Sequence, residues 1–253
     1  MTNILAGKKI VIAGAGGLLG TQLVKKVVEE GGYVIAGDSN LKLTHEKFDA
    51  LGIADHYELH HLDITSLDSV RKLLTVHPLL DGAVNVTYPR NKTYGAHFFD
   101  VTLESFNENL SLHLGSTFLF SQQCAAYFKE KQHDFSLVNI SSIYGVVPPK
   151  FEIYNNTQMT MAVEYAAIKS ALLHLNKYIV AYIHDSRFKI NAVSPGGIFD
   201  NQPTPFLDEY KKQTLGKGML DVKDVLGSIV FLLSDYSKYV TGQNIIVDDG
   251  FSL

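Results

Sequence analysis

The sequence predicts an α/β fold in which a doubly wound, parallel, seven-stranded sheet is flanked by helices within a single domain. Two observations favour this fold. Short runs rich in Val and Ile alternate with longer segments whose apolar residues recur every three or four positions. No Ser/Pro-rich linker, internal repeat or charge block divides the 253 residues. One domain is therefore expected over 1–253.

The strands and helices follow from the same patterns. Continuous Val/Ile runs are typical of parallel strands buried on both faces. Seven strands are predicted at 9–13, 33–37, 56–61, 81–86, 135–140, 187–193 and 243–248. Helices are predicted between them at 18–30, 66–77, about 103–131, 161–184 and 222–234. The segment 198–221 follows a strand end and is interrupted by Pro and Gly, so it is either a mobile lid over a ligand crevice or a plain surface excursion.

Composition excludes several classes of protein. With 46% hydrophobic and 19% charged residues, the chain is neither disordered nor fibrous. A net charge of −4 gives little attraction for nucleic acid or anionic lipid. Cys124 is the single cysteine, which excludes an intrachain disulfide and fits a reducing compartment. The glycine-rich N-terminal region is unlike a signal peptide, and no apolar window is long enough for a membrane span. A cytoplasmic protein with neither a nucleic-acid nor a membrane partner is expected.

A glycine-rich turn follows the first predicted strand and opens the first predicted helix. Such a turn lets the backbone and a helix N-terminus approach a pyrophosphate, as in a Rossmann-type dinucleotide site. The residues predicted to line it are Gly14, Gly16, Gly17, Leu18, Leu19 and Gly20. Asp38 ends the second strand, where a carboxylate binds ribose hydroxyls and repels a 2′-phosphate. Neither its neighbour Ser39 nor the turn offers a Lys or Arg, so NAD(H) is favoured over NADP(H).

Tyr165 and Lys169 lie four residues apart and therefore share one helix face. The spacing Tyr-x-x-x-Lys also occurs at Tyr88/Lys92 and Tyr127/Lys131, so it is not diagnostic by itself. The first of these precedes Pro89, which disfavours helix, and the second is expected to face solvent at a charged helix end. Only Tyr165/Lys169 lies between two predicted buried strands that end in polar turns.

The order of these motifs resembles the short-chain dehydrogenase/reductase family, in its shorter single-domain branch. The resemblance rests on AGAGGLLG, HLDI, DGAVN, NISS, YAAIK, NAVSPGG and YVTGQNIIVDDG, which span nearly the whole chain. It implies an oxidoreductase that interconverts an alcohol and a ketone, with Tyr165 as general acid/base, Lys169 lowering the tyrosine pKa and holding the nicotinamide ribose, and Ser142 orienting the substrate oxygen. Further cofactor contacts are implied at Asp63, Ile64, Asn85, Pro195, Gly196 and Ile198.

Four positions depart from the family pattern. Leu18 occupies a usual glycine position, a spacing that resembles the family's longer, sugar-nucleotide-processing branch. Tyr88 occupies a place normally kept small, and Asp200 replaces a threonine after Pro-Gly. Depending on the register, His113 or Leu112 takes the place of a catalytic Asn; His113 is either the anchor of a proton-relay water or a structural residue.

The 143–164 segment between Ser142 and Tyr165 is longer than usual in the family. Its polar residues, with those of the Tyr88 loop, predict a polar, partly cationic substrate pocket; the alternative is that the insertion packs against a neighbouring subunit. The predicted substrate residues are Tyr88, Arg90, Lys150, Tyr154 and Asn155, with Lys92 as a further cation. The segment resembles family members associated with bacterial flagellin-glycan and nonulosonic-acid biosynthesis, which implies a sugar or nucleotide-sugar alcohol as substrate. Specificity is expected to come from loops 143–164 and 198–221.

Two other functions remain open: reduction of a small apolar or lipid-like ketone, and non-catalytic NAD binding by a regulator or assembly subunit. The resemblance also implies a homodimer or homotetramer that pairs helices at about 103–131 and 161–184. No metal site is predicted, because His60 and His61 are adjacent on a strand and point to opposite faces.

Overall fold

In the computed structural model, which describes residues 3–253, seven strands form one parallel sheet in the order β3-β2-β1-β4-β5-β6-β7. This confirms the predicted fold class. The strands are β1 (Lys9–Ala13), β2 (Tyr33–Asp38), β3 (Tyr57–His61), β4 (Gly82–Asn85), β5 (Phe135–Ile140), β6 (Phe188–Pro195) and β7 (Asn244–Val247). Each lies within two residues of its predicted bounds. Because β1 lies between β2 and β4, the strand order reverses there, and a crevice opens at the carboxyl ends of these strands.

Eight α-helices accompany the sheet within residues 3–253, and most of them cover its two faces. They are α1 (Leu18–Glu29), α2 (Leu41–Ala50), α3 (Leu67–Leu74), α4 (Leu103–Asn109), α5 (Ser116–Lys131), α6 (Val163–Ile183), α7 (Thr204–Lys212) and α8 (Val222–Leu233). On one face, Val24 of α1 and Ile229 of α8 pack in the same apolar layer. On the other face, Val70, Phe120 and Ile179 bring α3, α5 and α6 into a second layer. Within residues 3–253, no helix has the length and apolar composition needed to cross a membrane.

Helix α2 was not predicted, because its apolar pattern is weak. Only Thr44 and Phe48 are buried along it. The helix is instead started by a side-chain cap, in which Asn40 Oδ1 accepts from the Leu43 amide at 3.1 Å. A helix with so little buried surface leaves almost no three- and four-residue repeat in the sequence.

The single helix predicted at about 103–131 is interrupted in the structure. A π-helical turn at Leu110–Gly115 separates α4 from α5. The hydroxyls of Ser116 and Thr117 both donate to the backbone oxygen of His113, at 3.1 and 2.8 Å. Such turns are frequent at functional sites because they change the direction of a helix face. Apolar periodicity alone does not reveal one extra residue in a turn.

The 198–221 segment is neither a plain surface excursion nor without regular structure, since it contains α7. Phe206 and Tyr210 of α7 are buried against Tyr144, Tyr154 and Phe251. We call these five rings the aromatic cluster. The Tyr210 and Phe251 rings are stacked with centroids 4.6 Å apart. The cluster joins the two predicted specificity loops to the last residues of the sequence.

Candidate active site

A cavity of about 1060 Å³ opens at the carboxyl edge of the sheet. It is large enough for a dinucleotide together with part of a small substrate. The predicted residues that line it are Gly14, Gly17, Leu18, Leu19, Asp38, Ser39, Asp63, Ile64, Tyr88, Arg90, Ser142, Tyr154, Tyr165, Lys169, Pro195, Gly196 and Ile198. The structure thus brings together predicted residues that are as far as 184 positions apart.

The glycine turn has the backbone that a pyrophosphate requires. Gly14 adopts a φ of +88°, which disfavours any side chain there. A Cβ on Gly20 would collide with the Gly14 oxygen, so this glycine allows α1 to pack against the turn. No side chain caps α1 at Gly17, and its first turn holds no acidic residue. The N-terminal end of α1 therefore presents its amides and positive potential to an anion. Gly16 and Gly20 do not line the cavity themselves, but they allow the close packing that shapes the turn.

Asp38 is fixed at the end of β2 by backbone donors. Its Oδ2 accepts from the Gly16 amide at 2.8 Å and its Oδ1 accepts from the Asn40 amide at 3.0 Å. A carboxylate has about four acceptor positions, so lone pairs remain for ribose hydroxyls. This geometry fits the adenosine ribose of a nicotinamide dinucleotide.

Lys47 contacts the glycine turn from outside the cavity lining, a contact that the sequence analysis missed. Its ammonium donates to the Gly16 oxygen at 2.7 Å, which places a cation against the glycine turn. The turn itself and the neighbours of Asp38 contain no Lys or Arg, as the sequence shows, but a cation reaches the turn from α2. Because α2 was not predicted, the sequence gave no sign of this contact.

The next two strand ends support the cavity in different ways. After β3, the Asp63 carboxylate accepts from the Thr65 amide and hydroxyl at 2.9 and 2.6 Å, and these bonds lower its pKa. Asn85 ends β4 behind the cavity lining. Its Oδ1 accepts from the Thr87 amide and hydroxyl at 3.0 and 2.7 Å, so it braces the start of the following loop.

Ser142, Tyr165 and Lys169 come together from two elements. Ser142 follows β5, and the other two share one face of α6. The Ser141 hydroxyl donates to the Lys169 oxygen at 2.9 Å, which ties the strand end to the helix. The Lys169 nitrogen lies 5.5 Å from the centre of the Tyr165 ring and donates to the Ile140 oxygen at 2.7 Å.

The other two Tyr-x-x-x-Lys pairs do not form such a site. Tyr127 is buried rather than solvent-facing, and its hydroxyl accepts a hydrogen bond from the Leu80 amide at 2.7 Å. Leu80 precedes β4, so this contact is at the edge of the sheet opposite the cavity. Lys92, four residues after Tyr88, does not line the cavity. Of the three pairs, Tyr165/Lys169 is the one with both side chains in the cavity lining.

Burial changes the acid–base properties of the Tyr165–Lys169 pair. It lowers the pKa of Lys169 to about 7, because the ammonium loses its hydration. It raises the pKa of Tyr165, and the neighbouring Ser142 hydroxyl opposes that shift. A lysine that releases its proton near neutral pH and a protonated tyrosine are suited to passing a proton toward the cavity.

His113, rather than Leu112, lies against Lys169. Its Nε2 is 3.3 Å from the Lys169 nitrogen, and the ring is buried. Burial, together with the charge of Lys169, lowers the pKa of His113 to about 2, so the imidazole is neutral and its Nε2 accepts from lysine. The π-helical turn carries the ring to this position.

Tyr88, the large residue in a normally small position, contacts the rings of Tyr165 and His113 edge-on. Its ring centre lies 5.6 Å from that of Tyr165 and 5.0 Å from that of His113. Its hydroxyl donates to the Tyr94 hydroxyl. Tyr88 therefore contacts both Tyr165 and the Arg90 guanidinium.

Lys150 and Asn155 lie outside the cavity, contrary to their predicted substrate role. The Lys150 ammonium donates to the Phe251 oxygen at 2.8 Å and lies 4.6 Å from the centre of that ring. Asn155 is exposed after a short helical turn that directs Tyr154 inward. The insertion instead contributes Met159 and Met161 to the lining. The predicted polar pocket is thus partly apolar.

Tyr210 was also missed. Its hydroxyl accepts from the Gly197 amide at 2.6 Å, and burial raises its pKa to about 12. It thereby holds the turn after β6, which includes Gly196 and Ile198. Tyr210 is on α7, a helix that was not predicted, so the sequence gave no signal of this contact. Asp200 lines the cavity beyond this turn. Residues 3–253 contain no group of three or more His, Cys, Asp or Glu side chains arranged to hold a metal ion.

Comparisons with known proteins agree with this geometry. A family model described as enoyl-(acyl carrier protein) reductase matches residues 14–252. The post-translational flagellin modification protein A of Campylobacter coli is 38% identical, over 99% of this chain and 100% of that protein. The 7α-hydroxysteroid dehydrogenase of Bacteroides fragilis is 28% identical, over 99% of this chain and 96% of that protein.

A solved structure of a short chain dehydrogenase from Leptospira borgpetersenii, with bound NAD+, is also similar. It is 30% identical and superposes with a TM-score of 0.85. The match covers 100% of this chain and 95% of that one. The likeness thus includes both the glycine turn and the substrate loops.

Proposed function

The chain belongs to the short-chain dehydrogenase/reductase family, and we propose that it interconverts an alcohol and a ketone with NAD(H) on a sugar or nucleotide-sugar substrate. As a member of this family it is an oxidoreductase that binds a nicotinamide cofactor and acts on a small molecule. The preference for NAD(H), the sugar-like substrate and the roles of individual residues are the proposal.

The observation that carries the reaction type is the convergence of Ser142, Tyr165 and Lys169 on one cavity wall. The bound nicotinamide supplies or accepts the hydride. In the reductive direction, Tyr165 donates its phenolic proton to the substrate oxygen while Ser142 orients that oxygen. Lys169 stabilises the resulting phenolate and returns a proton to it. His113 is neutral and accepts from Lys169, so it positions the ammonium.

Cofactor binding is assigned to the residues at the carboxyl ends of β1, β2, β3 and β6. The glycine turn and α1 would hold the pyrophosphate, Asp38 the adenosine ribose, and Asp63 with Ile64 the adenine. Pro195, Gly196 and Ile198 would flank the nicotinamide, with Asp200 as acceptor for its carboxamide. Asn85 would support the wall between these regions.

Six tyrosines support a hydroxylated ring as substrate. Tyrosine combines a flat apolar face with a hydroxyl, so it both packs on a sugar ring and hydrogen-bonds to its substituents. The cavity tyrosines are Tyr88, Tyr94, Tyr144, Tyr154, Tyr165 and Tyr210. A second and independent support for a sugar-like substrate is the C. coli relative, which is named for flagellin modification.

An apolar ketone is the second candidate, and one observation favours it. Met159, Met161, Phe206 and Met219 line the same cavity. Methionine adapts its shape to flat apolar ligands, and the B. fragilis relative is named as a hydroxysteroid dehydrogenase. The non-catalytic alternative is set aside, because the chain is a dehydrogenase/reductase whose Ser142, Tyr165 and Lys169 converge.

The test is turnover, followed by NADH absorbance, on a panel of sugars, sugar phosphates, nucleotide-sugars and steroid or acyl ketones. Activity confined to the carbohydrate members supports the proposal. Activity confined to the steroid or acyl members establishes the second candidate. NAD binding without turnover of any panel member contradicts both.

Asp38→Ser is expected to shift cofactor preference toward NADP(H) by about 10- to 100-fold. The change removes the carboxylate that repels a 2′-phosphate, and it leaves the Lys47 ammonium beside the turn to attract one. The measurement is kcat/KM with each cofactor. The double variant Asp38→Ser/Lys47→Gln should lose most of the gain with NADP(H). A wild-type enzyme that already prefers NADP(H) would contradict the assignment of Asp38.

A homodimer or homotetramer is also proposed. On α6, Tyr178 and Tyr182 are 63% and 69% exposed and stack on each other, and Phe118 of α5 is 47% exposed. Exposed aromatic rings on adjacent helices are typical of an interface between copies. Light scattering should give at least twice the 28.0 kDa of the chain. Tyr178→Glu/Tyr182→Glu should lower that mass, and a monomeric wild type would refute the proposal.

A further inference from the structure

Five charged side chains line the cavity, and only one of them is a cation open to solvent. Asp38 ends β2 and Asp63 follows β3, on the half of the sheet assigned to adenosine, and Asp200 follows β6. Lys169 is buried, and its ammonium is already directed at the Ile140 oxygen and at His113. Arg90, after β4, is exposed. It is therefore the cation that a substrate entering the cavity meets.

The guanidinium of Arg90 is stacked but not ion-paired. It lies 4.9 Å from the centre of the Tyr88 ring. Among residues 3–253, no carboxylate forms a salt bridge with it. A guanidinium packed on a ring face keeps its N–H edge free for bidentate bonding to a carboxylate or phosphate. The Tyr88 ring contacts both the Arg90 guanidinium and the ring of Tyr165, the proposed proton donor, so Arg90 is close to the proposed reaction centre.

The loop that carries Arg90 is held in place on its far side. The Asn91 amide donates to Asn109 Oδ1 at 3.0 Å, and Asn109 Nδ2 donates to Asn91 Oδ1 at 3.1 Å. Asn109 also donates to the fully buried Glu164, the residue before Tyr165, at 3.2 Å. This chain of bonds ties the loop to the catalytic helix. Arg90 is thus positioned before substrate arrives, which reduces the ordering that binding requires.

The two other cations that the sequence analysis considered are excluded by their positions. Lys150 is bound to Phe251 outside the cavity. Lys92 is exposed on the same loop as Arg90 but does not line the cavity. Lys92 therefore provides a control of equal charge, a short distance along the chain, that should not contact substrate.

We propose that Arg90 binds an anionic group of the substrate, a phosphate or a carboxylate, while the reacting carbon lies at Tyr165. This rests on the proposed function of the same cavity and narrows its substrate class to acidic or phosphorylated sugars. The sugar ring would pack between Arg90 and Tyr165 along the edge of Tyr88. A neutral ketone of similar size would leave the guanidinium without an anionic partner and would bind less tightly.

The test compares wild type, Arg90→Gln and Lys92→Gln, all loaded with NAD, by calorimetric titration with three probes. D-fructose 6-phosphate represents a phosphate, D-gluconate a carboxylate, and D-fructose the neutral reference. Wild type should bind at least one charged probe more tightly than D-fructose. Arg90→Gln should weaken that binding by about 10- to 100-fold, the range for a hydrogen bond to a charged group. Lys92→Gln should change it by less than about twofold. The probe that responds identifies the anion.

Three results would overturn the assignment. The first is a wild type with no preference for either charged probe. The second is a Lys92→Gln variant that binds as weakly as Arg90→Gln. The third is an Arg90→Gln variant whose NAD binding falls by the same factor. The last result would assign Arg90 to the cofactor. Turnover of the probes is followed separately. An Arg90-dependent anion site in a protein that turns over no member of the substrate panel would refute the proposed function alone, whereas turnover without charge dependence would refute only the role of Arg90.

Discussion

Tyr165→Phe is expected to reduce turnover by about 10³-fold or more and to leave NAD binding within about twofold of wild type. The substitution removes only the phenolic hydroxyl. The ring remains, and with it the edge contact to Tyr88 and the contact with the Lys169 ammonium. The shape of the cavity therefore persists while the proton donor is lost. Steady-state rates and calorimetric NAD titration measure the two effects separately.

The matched control is Tyr127→Phe, which changes the same residue type in the same Tyr-x-x-x-Lys spacing. Its hydroxyl accepts from the Leu80 amide in a buried position, so its loss should lower the melting temperature. Turnover per folded molecule should remain near wild type, because Tyr127 is not in the cavity lining. Near-normal activity of Tyr165→Phe would refute the assignment of the proton donor.

Lys169→Met is expected to reduce turnover by about 10²- to 10⁴-fold, the usual contribution of a proton-transfer group. Methionine has nearly the length of lysine but can neither stabilise a phenolate nor return a proton to it. The change also leaves the Ile140 oxygen and His113 Nε2 without their donor, at any pH. Stability therefore gives a second, independent readout.

The pH dependence of that stability has a definite sign. The pKa of Lys169 is lowered to about 7 in the folded protein, so between about pH 7 and pH 10 the unfolded chain binds more protons at this residue. Burying the charged Lys169 ammonium therefore lowers the free energy of unfolding by its full amount below about pH 7. This cost decreases as the pH rises. The melting temperature of Lys169→Met, relative to wild type, should be higher near pH 6 than near pH 9. His113 is neutral at both values and does not contribute. A difference independent of pH would contradict the assigned pKa.

Local sequence patterns were sufficient for the sheet and for most of the candidate active site. The strands β1, β2 and β5 contain short apolar runs, and Gly14, Asp38 and Ser142 each lie at or just after the end of one, so they could be placed from neighbouring residues alone. Tyr165 and Lys169 needed only helical spacing and the strands on either side. These features are set by the periodicity and the turn residues of the strand or helix that carries them, which a sequence shows directly.

Features that depend on long-range packing were not accessible. Lys47 is on a helix that buries too little to leave a pattern, and Tyr210 reaches its partner from another element. Lys150 and Asn155 were misplaced because a short helical turn decides which side of the insertion faces inward. Composition showed the insertion as polar, whereas the fold selected Met159 and Met161 for the cavity.

The aromatic cluster has a consequence for how this enzyme diversifies. It packs the 143–164 insertion, α7 and Phe251 into one interlocked unit, while the glycine turn and Asp38 lie on the far side of the cavity. If only one of these loops were replaced by that of a relative, its side chains would no longer pack against the remaining rings of the aromatic cluster. Exchange of substrate preference therefore requires replacing all three segments together. The glycine turn and Asp38, which are proposed to bind the dinucleotide, can stay unchanged.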